Sequence, residues 1–328
     1  NSPLWPFYEK FGELGFTVDL LVEMEPVQRA KMMCMFYEEL GWGDSGLAIS
    51  IGAGTLPRYM ARLFGNDFLA DLAPEGMLGS WAITEPDHGT DQLDPDGQIM
   101  HAEGKYGRPN CVATLKSDTI VINGQKSAWV SNGIISEVFV LYCAADSGAG
   151  PDQENGAVII VPGDTKGISR GKPLNKMGQR ALNQGEIFFD NVELPMEHLL
   201  AGPENYQKAV YAIHADANAL MGATFTGLAR AAYDLAFAYV HERKQGGVPI
   251  IKHQSVAHRL FHMFRKVECA RALTRRVVEY NMVDPQPALH AAMTSKITAT
   301  QTAFEVASEA LQLFGGNGMT REYPIEKM

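Results

Sequence analysis

A short segment before Asp87 combines hydrogen-bond donors with a backbone that proline restrains. Trp81-Ala-Ile-Thr84-Glu-Pro86 reads as the end of a strand that runs into a fixed loop, which presents backbone amides and the Thr84 hydroxyl at the rim of a domain. Donors that are already aimed at one point stabilise negative charge there without reorganising. Such a set can hold the pyrimidine edge of a flavin, where reduction places negative charge. The alternative is a capped loop that only joins two domains, and Glu85 is expected to be structural rather than a base.

A second segment, Trp129-Val130-Ser131, follows a predicted strand and a predicted Asn123-Gly124 turn. Alternate residues of an extended segment project to one side, so Trp129 and Ser131 are expected to lie together. An indole can cover a flavin face while a hydroxyl meets N5, where a hydride arrives, and exclusion of water there protects the reduced ring. A single Trp on a sheet is more often a packing residue. The surrounding Lys-x-x-Trp-x-Ser-Asn-Gly pattern favours the binding role.

Glycines follow the last predicted helix, in the segment from Gln312 to Gly318. They permit left-handed backbone and the close approach of a bulky ligand, and they are equally typical of a helix C-cap. The segment Arg243 to Gln245 closes an earlier helix, where a cation can meet a phosphate or can simply be solvated. His253-Gln254 opens the next helix at its positive end.

The composition is that of an ordinary globular protein. Of 328 residues, 46% are hydrophobic and 20% are charged, and the net charge of -10 without a basic stripe argues against nucleic acid as a partner. Four cysteines without a Cys-x-x-Cys pair suggest neither a zinc site nor a disulfide framework and fit a reducing, intracellular compartment. His258 and His262 lack a supporting Glu or Cys, so we expect surface histidines and no metal. No stretch has the length of an apolar membrane span.

The spacing of apolar residues predicts three regions. Helical spacing, interrupted by turn formers at 41–46, 52–57 and 65–67, runs from Phe7 to Leu72. Short β-rich runs follow at 119–122, 138–144, 157–161 and 186–189. Helical spacing then returns, with faces formed by Leu228, Ala232, Leu235 and Tyr239, by Val256, Leu260, Met263 and Val267, and by Phe304, Ala307, Leu311 and Phe314. We predict an α+β fold with an N-terminal helical domain at 1–78, a middle β-barrel or sandwich domain at 79–197 and a C-terminal helical bundle at 198–328.

Together with Lys176 to Pro195 and Ala310 to Pro324, these segments fall in an order and spacing that resembles the acyl-CoA dehydrogenase family over most of the chain. The resemblance implies FAD as cofactor, an acyl-CoA substrate and electron-transfer flavoprotein or a similar acceptor. It implies a homo-oligomer, dimer or tetramer, that shares FAD sites across its interface, located in the cytoplasm or, in a eukaryote, the mitochondrial matrix. The residues it assigns to FAD are Trp81, Ile83, Thr84, Thr90, Trp129, Val130, Ser131, Arg243, Gln254, Gln312, Gly315 and Gly316. Those it assigns to the substrate are Thr90, Asp216 and Asn218.

The family uses a carboxylate to remove the proton alpha to the thioester carbonyl while the beta hydrogen leaves as hydride. On a helix expected to begin near Asp216, the positions for such a base or a substrate-binding Arg read Ala217 and Asn218. Asp216 is the remaining candidate base, with capping or salt bridging as its alternative role. Three explanations stay open: a base beyond Met328, which we favour; a flavin-binding partner subunit without chemistry; or divergence toward a flavin oxidase or monooxygenase.

Three further departures from the family pattern concern the ligand. Gly246 stands where an aromatic residue is usual, and one extra residue lies between Lys126 and Trp129. The stretch from Gln92 to Val121 is longer than its family counterpart and rich in Asp, Gly and Pro, which predicts an extended loop. Because it leaves directly after Thr90, we expect it beside the CoA entrance.

Overall fold

The computed structural model describes residues 4–93 and 107–328. The chain divides into two compact units. The first consists of Asn1–Glu23, Ser50–Asn175 and Ala181–Ile213, and the second of Met24–Ile49, Lys176–Arg180 and His214–Met328. The three-domain division at 1–78, 79–197 and 198–328 stays a prediction.

Seven helices and ten strands lie in the described residues. The helices are α1 (Trp5–Glu13), α2 (Val18–Glu23), α3 (Pro26–Leu63), α4 (Asp67–Leu72), α5 (Tyr206–Glu242), α6 (Gln254–Val283) and α7 (Leu289–Phe314). The strands are β1 (Gly79–Ala82), β2 (Cys111–Leu115), β3 (Thr119–Ser131), β4 (Val138–Asp146), β5 (Asp152–Pro162), β6 (Ile168–Arg170), β7 (Gln184–Pro195), β8 (Leu199–Ala201), β9 (Lys244–Gln245) and β10 (Val248–Pro249). None of these helices combines the length and apolar character needed to cross a bilayer.

An eight-stranded sheet organises the first unit. Its order is β6-β7-β3-β1-β4-β5-β8, and β2 pairs with both β3 and β4. β1 and β2 each run antiparallel to β3 and parallel to β4, so they occupy successive stretches of the gap between those two strands. The four predicted strand runs lie within β3, β4, β5 and β7, which confirms them.

Both faces of the central strands are buried. One face, carrying Ile122, Leu141 and Ile159, belongs to a core that side chains of the sheet's own strands form. The other face, carrying Val140, Tyr142 and Ile160, packs against residues of α3, α4 and the first turns of α5. Burying such side chains contributes roughly 1.5–3 kcal/mol each. This two-sided burial explains why β4 reads as a continuous apolar run rather than as an alternating one.

The predicted interruptions of the first helical region are partly wrong. A break does occur within α3, where Asp44 has an extended backbone (φ -164°, ψ 115°) and its carboxylate accepts from the amides of Gly46 and Leu47 at 2.9 and 3.1 Å. Asp44 therefore caps the second part of α3. The helix continues through Gly52 to Pro57, however, because Ile51, Ala53 and Met60 of this stretch are buried and packing overrides the local signal.

The predicted Asn123-Gly124 turn is also wrong. β3 runs straight through both residues, and its pairing with β7 shifts between Ile122 and Gly124. Gly124 has φ +121°, and a Cβ there would collide with the carbonyl oxygen of Asn110. The glycine is a β-bulge, and the hairpin turn lies at Lys116, whose amide donates to the Thr119 carbonyl.

Three long helices, α5, α6 and α7, belong to the second unit over most of their length and confirm the predicted bundle. Their shared core contains most of the predicted face residues, but Phe304 is 76% exposed. The buried stripe of α7 instead follows Ala303, Val306 and Ala310, and at 3.6 residues per turn Phe304 projects away from it. A further correction concerns α5, which begins at Tyr206 rather than near Asp216.

Candidate functional site

The loop after β1 is held to β3 by a pair of hydroxyls. Thr84 Oγ1 and Ser127 Oγ are 2.8 Å apart, and the Ser127 amide donates to the Thr84 carbonyl at 2.9 Å. Ser127 is buried and Thr84 is half-buried. Ile83 is also buried, so it has only its backbone to offer a ligand. Thr84 lies in a predicted motif, whereas no sequence pattern marks Ser127.

Below this loop lies a fully buried ion pair. Lys126 Nζ donates to Glu85 Oε1 at 2.6 Å and to the Ile83 carbonyl at 2.9 Å, and both charged side chains are completely shielded from solvent. Glu85 Oε2 accepts from the Asn110 amide at 2.6 Å. Burial lowers the pKa of Lys126, but the Glu85 carboxylate together with the neighbouring Cys111 and Cys143 raises it more, so the net pKa lies above its usual value. Glu85 is therefore structural, as predicted.

The extra residue near Trp129 is absorbed by a bulge. Lys126 pairs with Ile187 while Val130 pairs with Gly185, so four steps along β3 correspond to two along β7. Val130 is buried in the sheet core, whereas Trp129 is 61% exposed and Ser131 is half-buried. Trp129 and Ser131 thus lie on the side opposite Val130, as their alternation predicts. An indole with this exposure is not a core packing residue.

Asn132 anchors the end of this segment. It is fully buried with φ +61°, and its side-chain amide donates to the carbonyls of Ser50 and Gly79 at 2.8 and 3.1 Å. The backbone amide of Asn132 donates to the Asn183 carbonyl at 2.7 Å. A buried amide with several partners fixes the backbone beside Ser131.

His88 and Asp91, on either side of Thr90 in the chain, form a hydrogen-bonded histidine clamp. His88 Nδ1 lies 2.5 Å from Asp91 Oδ2, and His88 Nε2 lies 2.9 Å from the Arg108 carbonyl oxygen. A carbonyl and a carboxylate only accept hydrogen bonds, so both contacts are satisfied together when the imidazole is doubly protonated. Thr90 itself is exposed at the start of a 3-10 turn, free to meet a ligand.

The prediction of an extended loop from Gln92 to Val121 is wrong for its second part, because strand β2 begins at Cys111. Residues 94–106 of that stretch lie outside those described.

A cavity of about 480 Å³ opens beside these residues. Its walls include Thr84, Ser127 and Trp129, together with the carboxylates Asp87 and Glu186. The cavity therefore combines a hydroxyl pair with the exposed indole, and His88 lines it together with the two carboxylates.

The second unit carries the other predicted cofactor residues on two adjoining segments. Tyr239 stacks on Phe314 with ring centroids 4.1 Å apart, and its hydroxyl donates to the Phe314 carbonyl and accepts from Asn317 Nδ2 at 3.0 Å. The Arg243 amide in turn donates to the Tyr239 carbonyl at 2.8 Å. The end of α5 is thereby tied to the glycine-rich segment after α7. Sequence reasoning missed Tyr239 as this link.

Several side chains there are open to solvent. Arg243, Gln254 and Gln312 are exposed, and α6 begins at Gln254 as predicted. A Cβ placed on Gly315 or Gly316 would meet no described atom within 4 Å. Gly246, which replaces the usual aromatic residue, is a positive-φ residue in the tight turn between β9 and β10.

Asp216 and Asn218 lie inside α5. Asp216 is half-buried and sits ten residues after the helix begins, so its predicted capping role is wrong. Asn218 Nδ2 donates to the His214 carbonyl at 2.7 Å, a contact within its own helix.

His258 and His262 have ring centroids 4.4 Å apart. In the described ranges, no three His, Cys, Asp or Glu side chains come together as a metal site.

Comparisons with known proteins identify the family. The profile of the acyl-CoA dehydrogenase middle domain matches residues 80–192, and that of the C-terminal domain matches residues 216–328. A probable acyl-CoA dehydrogenase of Bacillus subtilis is 29% identical over 98% of this chain and 79% of its own length. A short-chain-specific acyl-CoA dehydrogenase of Clostridium acetobutylicum is 28% identical over 98% of this chain and 79% of its own.

The fold agrees with these matches. The solved structure of butyryl-CoA dehydrogenase from Megasphaera elsdenii superimposes with a TM-score of 0.76 at 28% identity, covering 90% of this chain and 74% of that one. The architecture and the matched segments define a flavin-dependent oxidoreductase fold. The chain belongs to the acyl-CoA dehydrogenase family.

The residues present fit FAD, the cofactor of this family. The first unit offers a cavity with a hydroxyl pair and an exposed indole, which suits a flat ring with a polar edge. The second unit offers the exposed guanidinium of Arg243 and two open glycines, Gly315 and Gly316, which suit a phosphate-containing arm.

Proposed function

We propose that this protein is an FAD-dependent acyl-CoA dehydrogenase that introduces an α,β double bond into an acyl-CoA thioester. The observation that carries the proposal is the cavity where Thr84, Ser127 and the exposed Trp129 come together, because these residues lie in the family's motifs. Bound FAD would accept the hydrogen that leaves the β carbon as hydride. Electron-transfer flavoprotein or a similar acceptor would then reoxidise it, as part of fatty acid β-oxidation in the cytoplasm or, in a eukaryote, the mitochondrial matrix.

Each unit contributes separate tasks. Thr84 and the adjoining backbone of Trp81 to Ile83 would hold the polar edge of the ring, while Trp129 would shield the ring and exclude water. Ser131 would supply a hydroxyl donor near the position that receives the hydride, and Val130, which is buried, would supply backbone only. Arg243 and Gln312 hold the pyrophosphate, Gln254 adds a contact at the start of α6, and Gly315 and Gly316 leave room for the adenosine part.

Thr90, Asp216 and Asn218 are assigned to the substrate. Thr90 is exposed within the His88 clamp and would contact the thioester arm. Asp216 is the candidate base for the α proton. In Asp216→Asn, exchange of the α proton with solvent should fall by about 10²- to 10⁴-fold while FAD binding is retained. Unchanged exchange would remove Asp216 from this role and leave it with substrate binding alone.

The adenosine part of the site is proposed to be shared between two copies of the chain. The support is a stripe of exposed apolar residues on α7, formed by Met293, Ile297 and Phe304, which are 46%, 55% and 76% exposed. These residues are four and seven positions apart and therefore share one helix face. Exposed apolar stripes of this kind are typical of subunit contacts.

Turnover measurements test the proposal. The purified protein is incubated with acyl-CoAs of several chain classes and an electron-accepting dye. The masses of the products are then measured by mass spectrometry. If the protein is a dehydrogenase, one class of acyl-CoA should lose two hydrogens. A hydroxylated product, or consumption of oxygen with release of peroxide, would instead identify a monooxygenase or an oxidase. A protein that binds FAD but converts no acyl-CoA would identify a partner subunit.

A further inference from the structure

We infer that Ser127 is a positioning residue for the flavin, acting through the Thr84 hydroxyl. The inference rests on the proposed function and deepens it, since it concerns the redox balance of that site. Ser127 occupies the bulge that accommodates the extra residue between Lys126 and Trp129.

The hydrogen bonds around the pair determine what it can donate. Ser127 Oγ accepts from the Trp129 amide at 3.4 Å and lies 2.8 Å from Thr84 Oγ1. When the Ser127 hydroxyl donates its hydrogen bond to Thr84 Oγ1, the hydrogen of the Thr84 hydroxyl can point into the cavity that both residues line. Each bond in such a chain polarises the next, so Trp129 N–H and Ser127 strengthen Thr84 as a donor.

The hydroxyl of Ser127 is not what holds the loop. The Ile83 carbonyl is bonded to Lys126 Nζ, the Thr84 carbonyl to the Ser127 amide, and Glu85 to the Asn110 amide. All three contacts are independent of the Ser127 hydroxyl. That hydroxyl instead orients Thr84 O–H at 2.8 Å and accepts the longer bond from the Trp129 amide at 3.4 Å.

The charge around the cavity gives this orientation its importance. Asp87 and Glu186 line the same cavity, as does His88, whose charge is balanced by Asp91, and the two unbalanced carboxylates disfavour the negative charge that a flavin gains on reduction. An oriented donor opposes this effect at the ring edge. Ser127 therefore favours the reduced flavin, and its loss should make the flavin harder to reduce.

The test is the midpoint potential of the bound flavin in four purified holoproteins: wild type, Ser127→Ala, Thr84→Val and the double variant. Ser127→Ala should shift the ratio of reduced to oxidised flavin about tenfold toward the oxidised form, or about 30 mV for a two-electron couple. Once Thr84 has lost its hydroxyl, adding Ser127→Ala should change that ratio less than about twofold, because the two residues act as one. The dissociation constant of FAD, measured in parallel, should rise in both single variants.

A matched control is Ser136→Ala. Ser136 is a buried serine of the same unit whose Oγ has no hydrogen-bond partner among the described residues, so its replacement should leave the potential unchanged. Ser127→Thr, which keeps the hydroxyl, should restore most of the potential. An unshifted potential in Ser127→Ala, or an equal shift with and without the Thr84 hydroxyl, would overturn the inference while leaving the dehydrogenase intact. Wild-type protein that binds no FAD would overturn both.

Discussion

Lys126 and Glu85 place two opposite charges in the interior of the first unit, with no exposed side-chain surface on either. The cost of desolvating both charges leaves such a pair with only a small net contribution to stability. Removal of one partner, however, leaves the other charge buried and unpaired. Glu85→Gln or Lys126→Met alone should therefore lower the free energy of unfolding by about 3–5 kcal/mol in urea titrations. The double variant Glu85→Leu with Lys126→Met should recover much of that loss.

The exposed pair Arg259 and Glu309 supplies the control for this prediction. Their side chains are 46% and 42% exposed, and Arg259→Ala should cost less than about 1 kcal/mol. Equal losses at the two pairs would show that burial of Lys126 and Glu85 is not what makes their contact important.

The His88 clamp gives the protein a defined pH dependence. Burial lowers the pKa of His88, but hydrogen bonds to Asp91 and to the Arg108 carbonyl raise it more, and the net pKa lies above its usual value. Burial raises the pKa of Asp91, yet the hydrogen bond and charge of His88 and the bond from the Gly89 amide together outweigh it, and the net pKa is lowered. Stabilisation by His88 is therefore complete below about pH 6.5 and is lost as the pH rises through its folded-state pKa, while that by Asp91 is present above about pH 3.9 and lost as the pH falls through its own.

This behaviour can be measured by comparing wild type with His88→Asn in unfolding experiments over a pH series. The difference in unfolding free energy should be about 2 kcal/mol near pH 5–6 and shrink at alkaline pH. A difference independent of pH would mean that the doubly protonated imidazole does not form, and Asp91→Asn should remove the same pH dependence.

At the residue level, the sequence predicted the side chains that face outward better than those that support them. Thr84, Trp129 and the structural role of Glu85 follow from local pattern and motif. Ser127 does not, because its role depends on a bulge in β3 that places it against a loop 43 positions earlier. Such tertiary contacts leave no periodic signal.

Gly315 and Gly316 allow a test of the glycine-rich segment at the level of an element. Both are exposed and open, but Gly315 has φ +58° and ψ -136°, a conformation that L residues avoid, whereas Gly316 has no positive φ. Gly315→Ala should lower stability by about 1–3 kcal/mol, and Gly316→Ala by clearly less.

The same two variants separate the two interpretations of this segment. If the glycines admit the adenosine part of FAD, the added methyl groups should weaken FAD binding in both variants. Weakened stability in Gly315→Ala with unchanged FAD affinity in both would leave the segment as a helix C-cap only.

Elements were predictable where their period is strong, as in α5 to α7 and in the four strand runs. They were mispredicted where a local breaker is overridden, as at Gly52 to Pro57, or where a turn signal lies inside a strand, as at Asn123-Gly124. Cys111 and Cys143 are far apart in sequence, yet both belong to one buried cluster of the sheet, on the paired strands β2 and β4. Strand order of this kind is a property of the folded sheet rather than of any local segment.

At the scale of the whole molecule, the exposed stripe on α7 predicts self-association. Phe304→Asp should reduce the assembly to smaller species in light scattering coupled to gel filtration, because an exposed apolar contact is replaced by a charge. FAD affinity should fall in parallel if the adenosine site is shared. The control is Phe68→Asp, an exposed Phe of the first unit, which should leave the assembly unchanged. An unchanged assembly in Phe304→Asp would contradict the proposed contact.

The most direct measurement of the central claim is an anaerobic titration of the purified protein with a panel of acyl-CoAs while its visible spectrum is recorded. An acyl-CoA dehydrogenase predicts a yellow protein whose oxidised flavin bands bleach in a single turnover with one class of acyl-CoA, in the absence of any other reductant. A flavin that chemical reductant bleaches but no acyl-CoA does would contradict the proposed reaction, and a colourless protein that takes up no FAD would contradict the cofactor assignment.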